Sequence, residues 1–181
     1  MLSASPAEIV TFWREAGPDK WFADDHAFDL AVRSRFFAAH EAAARGGLGA
    51  WEDSAEGALA LVLLFDQFPR NMFRGEARAF ATDAMARAVA DRALARGFDL
   101  ATDLTMRPFF YLPFMHSEAL FDQDRCVRLY EALDDAEQLR YAREQRDVIK
   151  KFGRFPHRNR ALGRSTTQAE RGFLEDDDVT G

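Results

Sequence analysis

One cysteine, Cys126, stands alone among 181 residues. It has no partner for an internal disulfide, and its place in an apolar helical stretch makes it a buried thiol. The longest uninterrupted apolar run, Ala58 to Phe65, falls far short of the ~20 residues a bilayer-spanning helix needs, so no membrane partner is expected. Basic excess is lacking too: 24 Lys and Arg face 30 Asp and Glu, giving a net charge of -6 and a pI near 5.3. Such a chain repels polyanions as a whole, and no nucleic-acid partner is expected. Also missing are a nucleophile-elbow serine, a phosphate-cradling glycine loop, paired zinc-type cysteines and a dinucleotide fingerprint, which disfavours those enzyme classes; no cofactor and no metal are expected. The residues from Met1 to Pro6 show no basic stretch followed by an apolar one, so a cytoplasmic location is expected.

What is present is apolar and aromatic. Hydrophobic residues make up 48%, with 17 Phe and 3 Trp, enough for a single large core at a length that buries roughly 70% of the chain's surface. One helical domain is expected over 1–174, with an acidic tail over 175–181. Ser5 and Pro6 open a first helix that stops before Gly17-Pro18. Asp24 or Asp25 starts a second, with Phe28, Val32, Phe36, Ala39 and Ala43 at helical spacing, ending at Gly46-Gly47. Asp53 or Ser54 caps a third that is apolar all round, hence central, and Pro69 is expected to end it. A fourth runs from Ala77 to Gly97.

The proline-bracketed aromatic stretch Met106 to Phe114 reads as one or two buried helical turns. Ser117 opens the next helix. Asp134 with Glu137, and Ser165 with Gln168, have capping-box spacing and predict two more helix starts. The expected fold is all-α: six to eight helices in antiparallel hairpins, tetratricopeptide-like but without a strict repeat.

Three polar clusters are candidates for chemistry. Phe68-Pro69-Arg70-Asn71 is echoed by Phe155-Pro156-His157-Arg158-Asn159, each placing Arg-Asn at an expected helix stop. Either these residues tie hairpins together, with Asp66 a ready ion-pair partner for Arg70, or an Arg faces a ligand. His116 and Glu118 follow the aromatic stretch; with His157 they are the candidate acid-base groups. His26 and His40 fall on the second helix, where packing is the expected role. The third cluster is basic: Arg154, Arg158, Arg160 and Arg164, with Lys150 and Lys151 upstream. On an acidic protein these cations want internal carboxylates or a bound anion.

The segments Phe65 to Asn71, Arg107 to Glu118 and Phe155 to Ser165, together with Phe12-Trp13 and Trp21-Phe22, resemble a bacterial family of unknown function, the one numbered 924. The resemblance covers essentially the whole chain. It implies an all-helical, tetratricopeptide-like single domain and no established activity, so it carries over no catalytic residue. Two functions stay open. In one, Arg70, Asn71, Arg107, Tyr111, Arg158, Asn159 and Arg164 hold a small phosphate or carboxylate ligand, with His116, His157 and Glu118 as acid-base groups. In the other these residues are structural and the helical surface binds a protein segment.

Overall fold

Short polar side chains cap the starts of several helices. The computed structural model describes residues 4–176, and among them every regular element is helical, with no strand. Ser5 caps α1 (Pro6–Ala16): its hydroxyl accepts from the Glu8 amide, and Glu8 accepts in return from the Ser5 amide at 2.7 Å. Gly17, at a left-handed φ of 73°, ends it, and Pro18 starts the single turn α2 (Pro18–Trp21). Asp25 caps α3 (His26–Ala44) and Ser54 caps α4 (Ala55–Val62). A π-helical turn, Leu63–Gln67, joins α4 to α5 (Phe68–Met72). Then come α6 (Asp83–Ala95), α7 (Leu112–Met115), α8 (Leu120–Leu133), α9 (Ala136–Phe152) and α10 (Gln168–Asp176). Short 3-10 turns over Gly49–Asp53, Ala77–Phe80, Arg107–Phe110 and Pro156–Arg158 punctuate them.

Several expected boundaries move, each for a local reason. The Ala77 start belongs to a 3-10 turn, and α6 begins after Thr82. Ser117 does not open α8, because its hydroxyl donates to Asp122 at 2.6 Å and the helix starts at Leu120. Asp134 takes the left-handed conformation that stops α8 (φ 57°), so the cap of α9 passes to Asp135, which accepts from the Gln138 amide. The last capping box is Thr167 with Glu170, not Ser165 with Gln168: the Glu170 amide donates to the Thr167 hydroxyl and the Thr167 amide to the Glu170 carboxylate. Of the expected acidic tail, Glu175 and Asp176 complete α10, and residues 177–181 lie outside the described residues.

The chain divides into two compact units, Met1–Arg74 with Arg78–Pro113, and Gly75–Ala77 with Phe114–Gly181. In the first, α4 is buried on all sides from Gly57 to Val62, as its apolar sequence predicts. Against it lies an aromatic cluster: Trp13 stacks on Trp21 at 6.2 Å, Trp21 meets Phe109 edge-on at 4.9 Å, and Phe36 packs on Phe68 at 4.9 Å. The Trp21 indole N–H donates to the Trp13 carbonyl at 2.6 Å, giving the larger ring system a polar anchor inside the core. In the second unit α8 and α9, joined by Asp134-Asp135, form a hairpin whose seam buries Cys126, Val127 and Tyr130 against Ala142 and Ile149. Cys126 is fully buried, and burial pushes its thiol well above the ordinary value.

Pro69 does not end the central helix. A proline has no amide to give and its ring clashes with the carbonyl four residues back, here that of Phe65. The helix widens by one residue instead: the Phe68 amide reaches back five positions to Leu63. Leu64 and Phe65 are thereby both left facing a residue that cannot donate. Side chains take over. His40 Nδ1 donates to the Leu64 carbonyl at 2.9 Å, Thr82 Oγ1 to the Phe65 carbonyl at 2.6 Å, and Arg70 Nη1 to the Asp66 carbonyl at 2.6 Å. Thr82 stands at the N-cap of α6 yet makes no capping bond, since its hydroxyl is turned to Phe65.

Two outcomes follow from this turn. Thr82→Val strands the buried Phe65 carbonyl, which costs about 1–3 kcal/mol. The melting midpoint should fall by roughly 2–4 °C for each kcal/mol, measured by calorimetry. His40 is 4% exposed, and burial holds its pKa below the ordinary value near 6.5. Above that value neither state binds the proton. Below it the unfolded chain binds a proton that the native chain refuses, so stability falls as pH falls. His40→Gln, which keeps an N–H donor but does not titrate, should flatten the decline of the urea midpoint between about pH 7 and 5.

Candidate functional site

The residues expected to line one pocket divide between the two units. Arg70, Asn71, Arg107 and Tyr111 belong to the first; His116, Glu118, His157, Arg158, Asn159 and Arg164 belong to the second.

In the first unit α5 carries both members of the Arg-Asn pair. Arg70 lies among carboxylates: Nη1 and Nη2 grip Asp83 at 2.9 and 3.1 Å, and Nη1 stands 3.2 Å from Asp66, which has no exposed side-chain surface. Burial by itself would weaken the guanidinium's hold on its proton, but the two carboxylates outweigh it and keep Arg70 charged. The Gln67 amide donates to the other Asp66 oxygen at 2.6 Å. Asn71 donates to Asp29 at 2.7 Å, and Arg74 closes a two-pronged grip on the same carboxylate at 2.8 and 2.9 Å. Burial pushes the Asp29 carboxyl up; Arg74 and then Asn71 more than offset this and leave it below its usual range. Further along, Arg107 donates to the Thr102 carbonyl at 3.2 Å. The Tyr111 hydroxyl donates to Asp99 at 2.9 Å, with burial and then Asp99 raising its pKa.

In the second unit Glu118 organises the loop after α9. Gly153 turns the chain out of that helix at φ 68°, and the Phe155 amide then donates to Glu118 at 2.8 Å. Arg164 comes back to the same carboxylate with a fork of 2.8 and 3.0 Å, and also donates to the Phe155 carbonyl at 2.9 Å and to Asn159 Oδ1 at 3.0 Å. Burial would raise the Glu118 carboxyl; the Arg164 fork and the Phe155 amide prevail and hold it below the ordinary range. Arg154 makes a second fork on Glu170 at 2.7 and 2.9 Å. Together with the Thr167 amide, that fork brings the Glu170 carboxyl down to about 2. Arg158 is buried, its guanidinium 4.5 Å from the centre of the Phe155 ring. His157 is exposed beside Phe155 and His116 is half-buried.

The structure thus brings Glu118, Asn159 and Arg164 into one network, while Arg70 and Asn71 each close on carboxylates of their own unit. No group of three His, Cys, Asp or Glu side chains arranged to hold a metal occurs among the described residues. An open groove of about 240 Å³ between α1 and α3, lined by Ala7, Glu8, Thr11, Phe12, Glu15 and Arg35, contains none of the candidate binding or acid-base residues.

A family model described as a bacterial protein of unknown function, DUF924, matches residues 9–178. The chain belongs to that family. It is also similar to the solved structure of a protein of unknown function from Agrobacterium tumefaciens: identity is 52%, the match covers 95% of this chain and 97% of that one, and the TM-score is 0.92. No curated protein matches. The DUF924 fold is therefore shared closely with a solved relative.

Several residues of these networks escape a reading of the sequence. Asp83 lies 13 positions from Arg70, and Asp29 lies 45 from Arg74, with nothing local to link them. Glu170 was legible: three residues after Thr167, it has the spacing of the capping box it forms. Removing a charge from such a cluster is costly, because the partner stays buried and unpaired. Arg70→Met should cost about 3–5 kcal/mol and lower the melting midpoint by at least about 6 °C. An unchanged midpoint would mean that Arg70 is not structural.

Proposed function

We propose that this DUF924 chain is a helical scaffold that binds a protein segment, not an enzyme turning over a small anion. One observation carries the reading: the guanidinium groups of Arg70, Arg74, Arg154 and Arg164 are each closed in two-pronged grips on carboxylates of their own unit. A fork already filled by a carboxylate has little left with which to recognise another. Asn71 and Asn159 are engaged too, Asn71 donating to Asp29 and Asn159 Oδ1 accepting from Arg164. The short-loop hairpin of α8 and α9 is the kind of unit that stacks in tetratricopeptide-like proteins, whose surfaces commonly take up peptides. In this reading the chain acts in the cytoplasm, where a lone thiol such as Cys126 needs no partner.

The competing reading, a phosphate or carboxylate pocket with His116, His157 and Glu118 moving protons, makes a different forecast. A small anion at a hundred times its dissociation constant would add about 2.7 kcal/mol and raise the melting midpoint by roughly 5–11 °C. A thermal-shift panel of inorganic phosphate, phosphate esters and small carboxylates should instead leave the midpoint unmoved, while selection from a displayed peptide library should enrich binders. A shift of several degrees with phosphate, lost in Arg158→Lys while that variant stays folded, would overturn the scaffold reading.

A further inference from the structure

Charge is distributed very unevenly along this chain. Residues 148–169 hold Lys150, Lys151, Arg154, Arg158, Arg160 and Arg164 and not one Asp or Glu, on a protein of net charge -6. The remaining residues therefore carry twelve more carboxylates than cations. Arg154 is neutralised from outside the stretch by Glu170 and Arg164 by Glu118, and Arg158 is buried with its charge also acting on Glu118. Among the described residues the carboxylate that pairs with Lys150 is Asp147 on its own helix, at 3.8 Å. Lys151 and Arg160 are exposed, as is Arg171 on α10, and no carboxylate among the described residues pairs with any of the three.

These cations belong to one structural neighbourhood. Phe173 of α10 packs on Phe152 at the end of α9, 5.1 Å between ring centres, and the Lys151 ammonium lies 5.0 and 5.5 Å from those two rings. Arg171 donates to the Thr166 carbonyl, fastening α10 to the loop, and Arg154, just past the end of α9, donates to the Ser165 carbonyl within it. The turn Pro156–Arg158 lies against α10, and Arg160 follows it by two residues. Lys151 is steadied on aromatic faces, and Arg171 is tethered to the loop by one of its donors.

We propose that this face, bordered by the end of α9, the loop to residue 164 and α10, docks a short acidic segment of a partner protein. The proposal rests on the scaffold reading above and names the chemistry of its partner. Opposite charge supplies both steering and register. Length decides among anions. Screening limits each charge's reach to about 8 Å at physiological salt, so a short acidic segment feels the cationic face, whereas an extended polyanion also meets the strongly acidic remainder of the chain.

The test is fluorescence anisotropy with a short labelled peptide rich in Asp and Glu, a basic peptide of equal length, oligothymidylate and phosphatidylserine vesicles. The acidic peptide should bind at low salt and weaken as salt approaches about 0.15 M. The triple variant Lys151→Glu, Arg160→Glu, Arg171→Glu should weaken it by more than about tenfold, while Arg140→Glu with Arg143→Glu, elsewhere on α9, should change it less than about twofold. Circular dichroism melts confirm that the variants fold. Unchanged affinity in the triple variant, equal loss in the double variant, or tighter binding of oligothymidylate or vesicles overturns the assignment. Library selection separates the two levels. Enrichment of neutral or basic peptides alone overturns the acidic partner and leaves the scaffold standing; binding of no peptide at all, with a phosphate-induced thermal shift, removes both.

Discussion

Proline at position 69 is the constraint around which the first unit is arranged. It sits inside the most apolar helix of the chain, where a missing amide cannot be made good by water. The backbone answers by widening into a π turn, and that turn leaves carbonyls which only side chains from other elements can reach. His40 arrives from α3 and Thr82 from the start of α6. Arg70, one residue beyond the proline, bonds the Asp66 carbonyl and then grips Asp83 with the rest of its fork. One backbone defect thus specifies how α3 and α6 sit against the central helix. The same turn brings Asp66, a fully buried carboxylate, next to the cation it requires.

Ion pairs perform in the second unit what backbone repair performs in the first. Glu118 stands just before α8 and Arg164 lies 46 residues later, yet their bond closes the loop after α9 and positions the Phe155 amide and carbonyl as well. Glu170 serves twice, capping its own helix and receiving Arg154. Exposed pairs contribute little, but bidentate and half-buried ones impose geometry. Much of the Arg content of an acidic chain is therefore structural, and Lys151, Arg160 and Arg171 near α10 are among the cations left outside these networks.

Helix existence was readable because it depends on near neighbours. Ser5, Asp25 and Ser54 cap as their spacing suggests, and the aromatic stretch before Phe114 is buried in short helical turns as its prolines imply. Readings went astray where two local solutions compete. Asp134 and Asp135 are equally good caps by type, and the cap fell to Asp135 because Asp134 adopted the left-handed stop of α8. Pro69 looked like a terminator because the usual rule for proline assumes an ordinary helix, and only the flanking donors from α3 and α6 make the wider turn tolerable. The candidate site was legible as a set of residues and not as a set of partners. Arg70, Asn71, Asn159 and Arg164 all prove to be engaged, but on carboxylates that no spacing rule could assign.

By itself the amino-acid sequence determined the all-α class, the starts of α1, α3 and α4, the buried central helix, the lone buried thiol and the concentration of cations between positions 148 and 169. Each of these depends on composition or on residues a few positions apart, where propensity, capping and periodicity act. Tertiary structure alone decided which carboxylate meets which arginine, what repairs the carbonyls facing Pro69, and which cations remain exposed. Those outcomes depend on donors and acceptors dozens of residues apart that become neighbours only when apolar faces pack, and packing is non-directional until hydrogen bonds select among its alternatives.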